Sequence, residues 1–407
     1  MPSDQDDIDF DEEWYLRTYP DVADAVRAGN IGSGLLHYLA HGRDEGRRPR
    51  AGFDAAWYAK AYPAVAGEVG SDAADALERH YRERGRYRGY LPYPQASRPR
   101  NAAEIASPFG GLWIDAANAL DVIEGRRALG LINPEDAELL ARFVAEGYVI
   151  LPNAVPAVLL DRVENVVEAA FHGDMSTLLF ECHAIAGGHV NWQPAILDQP
   201  AKALDLHWFS DAVRDAIFSS EILRFLHLIF ERPVLASQTL TFYRGSQQPI
   251  HQDSAYVPYT LPLQFAATWI ALEDVAEGVG ELEYFVDSHR QLPEFLYNGM
   301  HKNVHEAQRS GAGDLVTEEV QQHLEAIQRE AKERNLARQR FLARRGDVLV
   351  WHADLAHGGS PTASPRTRKS LVTHYCPSEV APLFFENGQA VLKRHISGSF
   401  YTSHAYV

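Results

Sequence analysis

The sequence predicts an α+β protein, a small all-helical module followed by a jelly-roll core flanked by helices. Three observations lead there. Residues 10–49 and 53–92 repeat one another without a gap, with aromatics at helical spacing. A turn-rich stretch without periodicity follows, from Pro92 to Pro108. After residue 233 the period changes, and five runs rich in β-branched and aromatic residues follow one another. Strands gathered behind a helical start point to a β core with helices packed outside it.

The duplication sets a first domain, residues 1–96. At an offset of 43, Phe10-Asp11-x-x-Trp14-Tyr15-x-x-x-Tyr19-Pro20-x-Val22-Ala23 matches Phe53-Asp54-x-x-Trp57-Tyr58-x-x-x-Tyr62-Pro63-x-Val65-Ala66. Later, His37-Tyr38 matches His80-Tyr81, and Gly42-Arg43 matches Gly85-Arg86. Each copy reads as two short helices broken at Tyr-Pro, where proline removes a donor, and ended by a Gly-rich turn. Asp11, Glu12 and Glu13 suit the positive end of the first helix. His37 and His80 are expected to pack rather than bind metal. Arg79, Arg82, Arg84, Arg86 and Arg88 are expected to form a solvated face.

Residues 97–130 read as a linker, and residues 131–407 as the second domain. Asn133-Pro134-Glu135-Asp136 is a helix start with Asn as cap, the helix running to about Glu146. Gly147 to Pro152 is a short buried strand, and Pro156 to Ala170 is an amphipathic helix. Two further helices span Ser210–Phe218 and Glu221–Phe230. The strands are expected at Val234–Tyr243, Phe265–Leu272, Gly280–Val286, Gly346–Trp351 and Lys369–Tyr375. Between them, residues 293–345 form a polar insert, helical from about Thr317 to Ala337, with a thin stripe of Val320, Leu324 and Ile327. An insert of that length is expected to be a lid or an oligomer contact.

Charge and cysteine content exclude whole classes of function. The net charge of −17, from 38 basic and 55 acidic residues, repels nucleic acid and anionic membranes. Two cysteines, Cys182 and Cys376, build neither a disulfide framework nor a thiolate metal site. The acidic first seven residues lack the basic and apolar regions of a signal peptide, and no run approaches a membrane span. The expected location is the cytoplasm, with no nucleic-acid partner and no integral membrane segment.

Three His-x-Asp triplets compete for the chemistry: His172-Gly173-Asp174, His251-Gln252-Asp253 and His352-Ala353-Asp354. A histidine and an aspartate two apart on an extended segment face the same way, supplying two ligands of an open two-His-one-carboxylate iron site. His172 ends a helix, where it is placed to cap carbonyls. His352 lies five residues before His357 on one strand end and does not easily add a third ligand. The candidate third ligand is His357, in a His-Gly-Gly turn whose glycines would let backbone crowd a metal. Eleven residues on, Arg368 opens the next strand. A guanidinium is matched to a carboxylate, so it would anchor the far end of a dicarboxylate that chelates iron.

At this point the chain resembles the phytanoyl-CoA dioxygenase family of iron(II)/2-oxoglutarate oxygenases, over about residues 133–380. The likeness rests on Gln238 to Phe242, His251-Gln252-Asp253, Thr268 to Asp274, Gly280-Glu281-Leu282, Ser288-His289-Arg290, Gly346-Asp347, His352-x4-His357-Gly358 and Arg368. The resemblance implies a double-stranded β-helix (cupin-like jelly roll) in which His251, Asp253 and His357 bind iron. It implies that Arg368 binds the distal carboxylate of 2-oxoglutarate, assisted by Ser370, with Trp269 and Gln238 lining the pocket. His289 and His374 are left as structural or pocket-lining. The implied reaction consumes O2 and 2-oxoglutarate, releases succinate and CO2 and hydroxylates an unactivated C–H bond. Asp253 fills the position that halide takes in related halogenases, which favours hydroxylation. Gly359 stands where the family often has serine, so one co-substrate hydrogen bond is expected to be missing. The N-terminal repeats resemble those beside glycosyltransferase and sulfotransferase domains in bacterial surface-polysaccharide proteins. The expected substrate is a small molecule or a lipid- or glycan-linked one; no feature fixes the oligomeric state. The rival expectation is a non-catalytic, polysaccharide-associated scaffold with a degenerate barrel.

Overall fold

The computed structural model describes residues 12–27, 31, 33–42, 45, 47, 55–70, 74–81, 105, 107–182, 184, 185, 188–309, 311, 313–384 and 391–406. Two compact units divide the chain: residues 1–104 with 117–141, and residues 105–116 with 142–407.

Among the described residues of the first unit, each repeat holds three α-helices rather than two. They are α1 (Glu12–Thr18), α2 (Pro20–Arg27) and α3 (Gly34–His37), then α4 (Ala55–Ala61), α5 (Pro63–Val69) and α6 (Ala74–His80). The Tyr-Pro break separates the first two of each trio, and the histidine-bearing segment closes a helix of its own. Tyr15 shares a hydrogen bond with His37 Nδ1 at 3.1 Å, and Tyr58 repeats it with His80 Nδ1 at 3.0 Å, all four side chains buried. Both histidines therefore pack as expected. Burial opposes protonation and lowers the pKa of His37. Arg79 is exposed, while Arg82, Arg84, Arg86 and Arg88 lie outside the described residues. Within the stretch read as linker, α7 (Ala119–Ala128) is helical and buries Ala119 and Ile123.

Helix α8 (Pro134–Glu146) starts where Asn133 Oδ1 accepts the Asp136 amide at 2.7 Å. In the second unit the expected helices appear as α9 (Ala157–Phe171), α10 (Asp211–Ile217) and α11 (Ser220–Phe230). The short α12 (Ser288–Gln291) precedes the insert, which contains α13 (Val304–Arg309) and α14 (Gly313–Glu333). No helix among the described residues is long and apolar enough to cross a membrane.

Two sheets form the jelly roll. The large one follows the order β1 (Tyr148–Leu151), β9 (Val348–His352), β6 (Ala266–Ala271), β11 (Ser370–Pro377), β5 (Val234–Phe242), β4 (Lys202–Leu204), β2 (Leu179–Glu181) and β3 (His189–Asn191). Two C-terminal strands, β12 (Lys393–Arg394) and β13 (Phe400–Tyr401), join at β5. The small sheet runs β10 (His357–Gly359), β7 (Leu282–Phe285), β8 (Arg338–Phe341).

All five long strands stand where the sequence places them; the three-residue strands were too short to show a period. The end of the insert is also a strand. Residues 338–341, Arg-Gln-Arg-Phe, lack β-branched residues, yet they pair with Leu282–Phe285 as a charged edge.

Register lays out the inner face of the large sheet in rows. His374 stands opposite Gln238 on one side and Ala267 on the other, and Ala267 stands opposite Trp351. Two residues along, Val372 lies between Leu240 and Trp269, and Ser370 between Phe242 and Ala271. Arg368 continues the same parity just before β11. Trp269, Trp351, Val372 and Phe242 form one apolar cluster with Tyr148 and Leu349.

Candidate active site

The small sheet and the large sheet bring the second triplet and His357 together. His251 and His357 exchange backbone hydrogen bonds in both directions, each 2.9 Å, as an isolated antiparallel bridge that extends the small sheet. Side chains at paired positions share a face, so both imidazoles point inward. Gly358 makes this approach possible: a Cβ there would lie 2.8 Å from Gln248 O and 2.9 Å from Ile250 N. The glycine thus makes room for the strand that carries His251, not for a metal.

Each imidazole is held from behind. His251 Nδ1–H donates to Pro249 O and His357 Nδ1–H to Leu355 O, both at 2.8 Å. With the proton on Nδ1, the lone pair is on Nε2. The two Nε2 atoms lie 3.4 and 3.7 Å from Asp253 Oδ1, and the three atoms fall within 4.8 Å of one another. All three residues are buried. Burial pushes the His357 imidazole down to about 4, keeping it neutral with its lone pair free. Burial opposes ionisation of Asp253, but the charges and hydrogen bonds of the surrounding imidazoles outweigh it and hold the carboxyl well below the usual range.

Two nitrogens and one carboxylate oxygen converging from one side form a donor set for a divalent transition metal with open positions opposite.

On the inner face of the large sheet, just before β11, stands Arg368, only 1% exposed. Its Nε is buried without a hydrogen-bond partner, and so is Ser370 Oγ. The guanidinium lies over the rings of Trp269 and Phe242, 5.3 and 5.6 Å from their centroids. Burial lowers it to about 10, opposed by the charges of Glu273 and Glu281, so it remains cationic. A buried cation with unused donors is costly alone and fits an anionic ligand. Trp269 belongs to the core cluster and lends this cation its ring face. Gln238 is buried beside His374.

The two other triplets are occupied elsewhere. His172 Nδ1 donates to Glu168 O at 2.9 Å, capping α9, and Gly173 follows at φ +94°. His352 Nε2 lies 3.1 Å from Asp115 Oδ1, and Asp354 takes Lys302 Nζ at 3.0 Å and the Ser254 hydroxyl. Lys302 also meets Glu294 at 2.5 Å, joining the insert to the strand end. Both Lys302 and Asp354 are buried, and each charge favours the other, raising the Lys302 pKa against its desolvation. Breaking a buried pair from one side leaves an uncompensated charge, so Lys302→Met should cost about 3 kcal/mol in a urea melt. The double variant Lys302→Met/Asp354→Leu should recover most of that loss.

Sequence reasoning missed two neighbours of Asp253. The Trp351 indole N–H donates to Asp253 Oδ2 at 2.9 Å, and His374 Nε2–H donates to the same oxygen at 3.2 Å. Parity was the available signal, since Arg368, Ser370 and His374 alternate along one strand face. His289 does not reach the site; its Nε2 lies 3.2 Å from Val144 O. At Gly359 a Cβ would meet Ser246 Oγ at 2.6 Å, so the missing side chain leaves room for another hydroxyl.

Part of the insert packs behind this site. Ile327 and Ala331 of α14 pack with Ile250 and Ala356, the residues just before the two histidines. Its buried stripe takes in His323 as well as Val316, a slot that apolar residue counting passes over. A cavity of about 400 Å³ lies along α14, lined by Gln252, Phe295, His323 and Ile327 among others.

The profile of one protein family, Phytanoyl-CoA dioxygenase (PhyH), matches residues 143–370, more than half of the 407-residue chain. The chain belongs to the phytanoyl-CoA dioxygenase family. It is therefore an enzyme of the iron/2-oxoglutarate oxygenase class, with iron, 2-oxoglutarate and O2 as cofactor and co-substrates. The donor set and the unpartnered Arg368 described above fit those groups.

Solved structures similar to it include the non-heme alpha ketoglutarate dependent epimerase SnoN from nogalamycin biosynthesis. That match has 17% identity over 61% of this chain and 83% of the other, with a TM-score of 0.43. The carbocyclase SnoK from the same biosynthesis matches at 15% identity over 60% and 85%, TM-score 0.44. EctD from S. alaskensis with bound Fe matches at 14% identity over 60% and 77%, TM-score 0.42. No curated protein matches the chain in sequence.

Proposed function

We propose that this phytanoyl-CoA dioxygenase family member hydroxylates an unactivated C–H bond of a small-molecule, lipid or glycan-related substrate, releasing succinate and CO2. The reading is carried by one observation: an ionised carboxylate stands between two imidazoles, and the inner face of the large sheet holds a buried arginine whose Nε has no hydrogen-bond partner.

His251, Asp253 and His357 would hold iron(II). Arg368, with the Ser370 hydroxyl, would take the distal carboxylate of 2-oxoglutarate, and Trp269 and Gln238 would line the space between. Bound iron with 2-oxoglutarate and O2 supplies the oxidising power for C–H cleavage. The residues of the chain bind and orient. The carbonyls of Pro249 and Leu355 fix both ring tautomers. The inner-face cluster around Trp269 and Trp351 keeps water from the space they enclose. Cys182 and Cys376, both free and buried, suit the reducing cytoplasm in which we place the enzyme.

Adding iron(II) and then 2-oxoglutarate without oxygen should produce a weak visible charge-transfer band. Its absence in protein that is folded by circular dichroism would favour the scaffold reading.

A further inference from the structure

We infer that Trp351 and His374 are positioning residues that fix Asp253 as a one-oxygen metal ligand, and that Ala267 is the small residue that makes room for them. This rests on the proposed iron site and adds to it how the carboxylate is oriented.

The two oxygens of Asp253 have different surroundings. Oδ1 lies toward His251 and His357, at 3.4 and 3.7 Å from their Nε2 atoms. Oδ2 accepts from Trp351 Nε1 at 2.9 Å and from His374 Nε2 at 3.2 Å. All of these side chains are buried, so water does not compete for the bonds. A carboxylate oxygen with two donors is spoken for, and the group can turn its second oxygen toward the metal only by breaking both. Asp253 would then take one ligand position rather than two, which would leave the other for co-substrate or O2.

The sheet register explains why two rings reach one atom. Trp351 on β9 and His374 on β11 flank Ala267 on β6, one row of three strands. Strands two apart are separated by roughly 10 Å, a gap two long side chains close only if the residue between them is short. Ala267, fully buried, leaves that space. Donation by Nε2 also fixes the His374 tautomer, and its Nδ1 has no partner. The imidazole's hydrogen bonding is therefore spent on Asp253 alone.

The test is anaerobic titration with cobalt(II), read by its visible absorption, alongside thermal melts of each apoprotein. Trp351→Phe keeps the ring and removes the donor; His374→Leu removes a donor, and His374→Gln restores an N–H. Loss of a supporting hydrogen bond should weaken cobalt affinity about 10-fold for Trp351→Phe and His374→Leu, and the pair together about 100-fold. The cobalt spectrum should change in the same variants, while His374→Gln stays within about 3-fold of the parent. Cobalt affinity and spectrum unchanged in both single variants would overturn the inference. So would His374→Gln losing as much as His374→Leu, which marks a packing role. If Trp351→Phe does not fold, the two His374 variants decide alone. Failure of the parent protein to bind cobalt would instead remove the iron site itself.

Discussion

Asp253→Ala should abolish metal binding and all 2-oxoglutarate turnover. The carboxylate is the one anionic donor among the three groups that converge within 4.8 Å. Without it, two neutral imidazoles face a divalent cation inside a buried site, and nothing local offsets the charge. The loss should exceed the 10–100-fold that a supporting hydrogen bond is worth. The fold should survive, because the backbone bridge between His251 and His357 does not involve the Asp253 side chain. The indole of Trp351 and the imidazole of His374 lose their acceptor, at roughly 1–3 kcal/mol each. Metal content by mass spectrometry and succinate release check this; parent-like succinate production would remove Asp253 from the ligand set.

Arg368→Met should produce two effects of opposite sign. Removing one partner of a buried, hydrogen-bonded charge pair costs about 2–5 kcal/mol, so the KM for 2-oxoglutarate should rise about 30-fold or more. Arg368→Lys should recover only part of this, because an ammonium lacks the planar fork. In the free protein, however, the guanidinium is buried with an unpartnered Nε, and no carboxylate comes within ion-pair distance among the described contacts. Replacing it by an apolar side chain should therefore leave the ligand-free protein unharmed or more stable, by about 1 kcal/mol and a few degrees in Tm. An arginine kept for structure would give the reverse, a fall in Tm with the co-substrate affinity unchanged.

Much of this was legible in the sequence because the relevant signals are local. The repeat at offset 43, the Asn133 cap, the five long strands and the capping role of His172 each follow from a few neighbouring residues. What escaped depends on register or on distant partners. Strands β2, β3 and β4 are three residues each and are held by pairing in series, β4 on β5, β2 on β4 and β3 on β2, not by their own pattern. Strand β8 is charged because it is an edge. Asp115, in a stretch without periodicity, could not be assigned to His352 before the fold brought them to 3.1 Å. The convergence of Trp351 and His374 on one oxygen needs the alignment of three strands that lie far apart in the chain.

The tyrosine–histidine bond of the N-terminal unit spans 22 residues in both copies, and among the described residues the apolar clusters around Tyr15 and Tyr58 are separate. Each copy thus closes its central contact with its own residues. In evolutionary terms the unit of inheritance is the 43-residue segment: gaining or losing one copy adds or deletes a complete tyrosine–histidine lock and splits none. Such a module can lengthen by duplication without renegotiating the interior of its existing copies, and the oxygenase unit can change its substrate under separate selection.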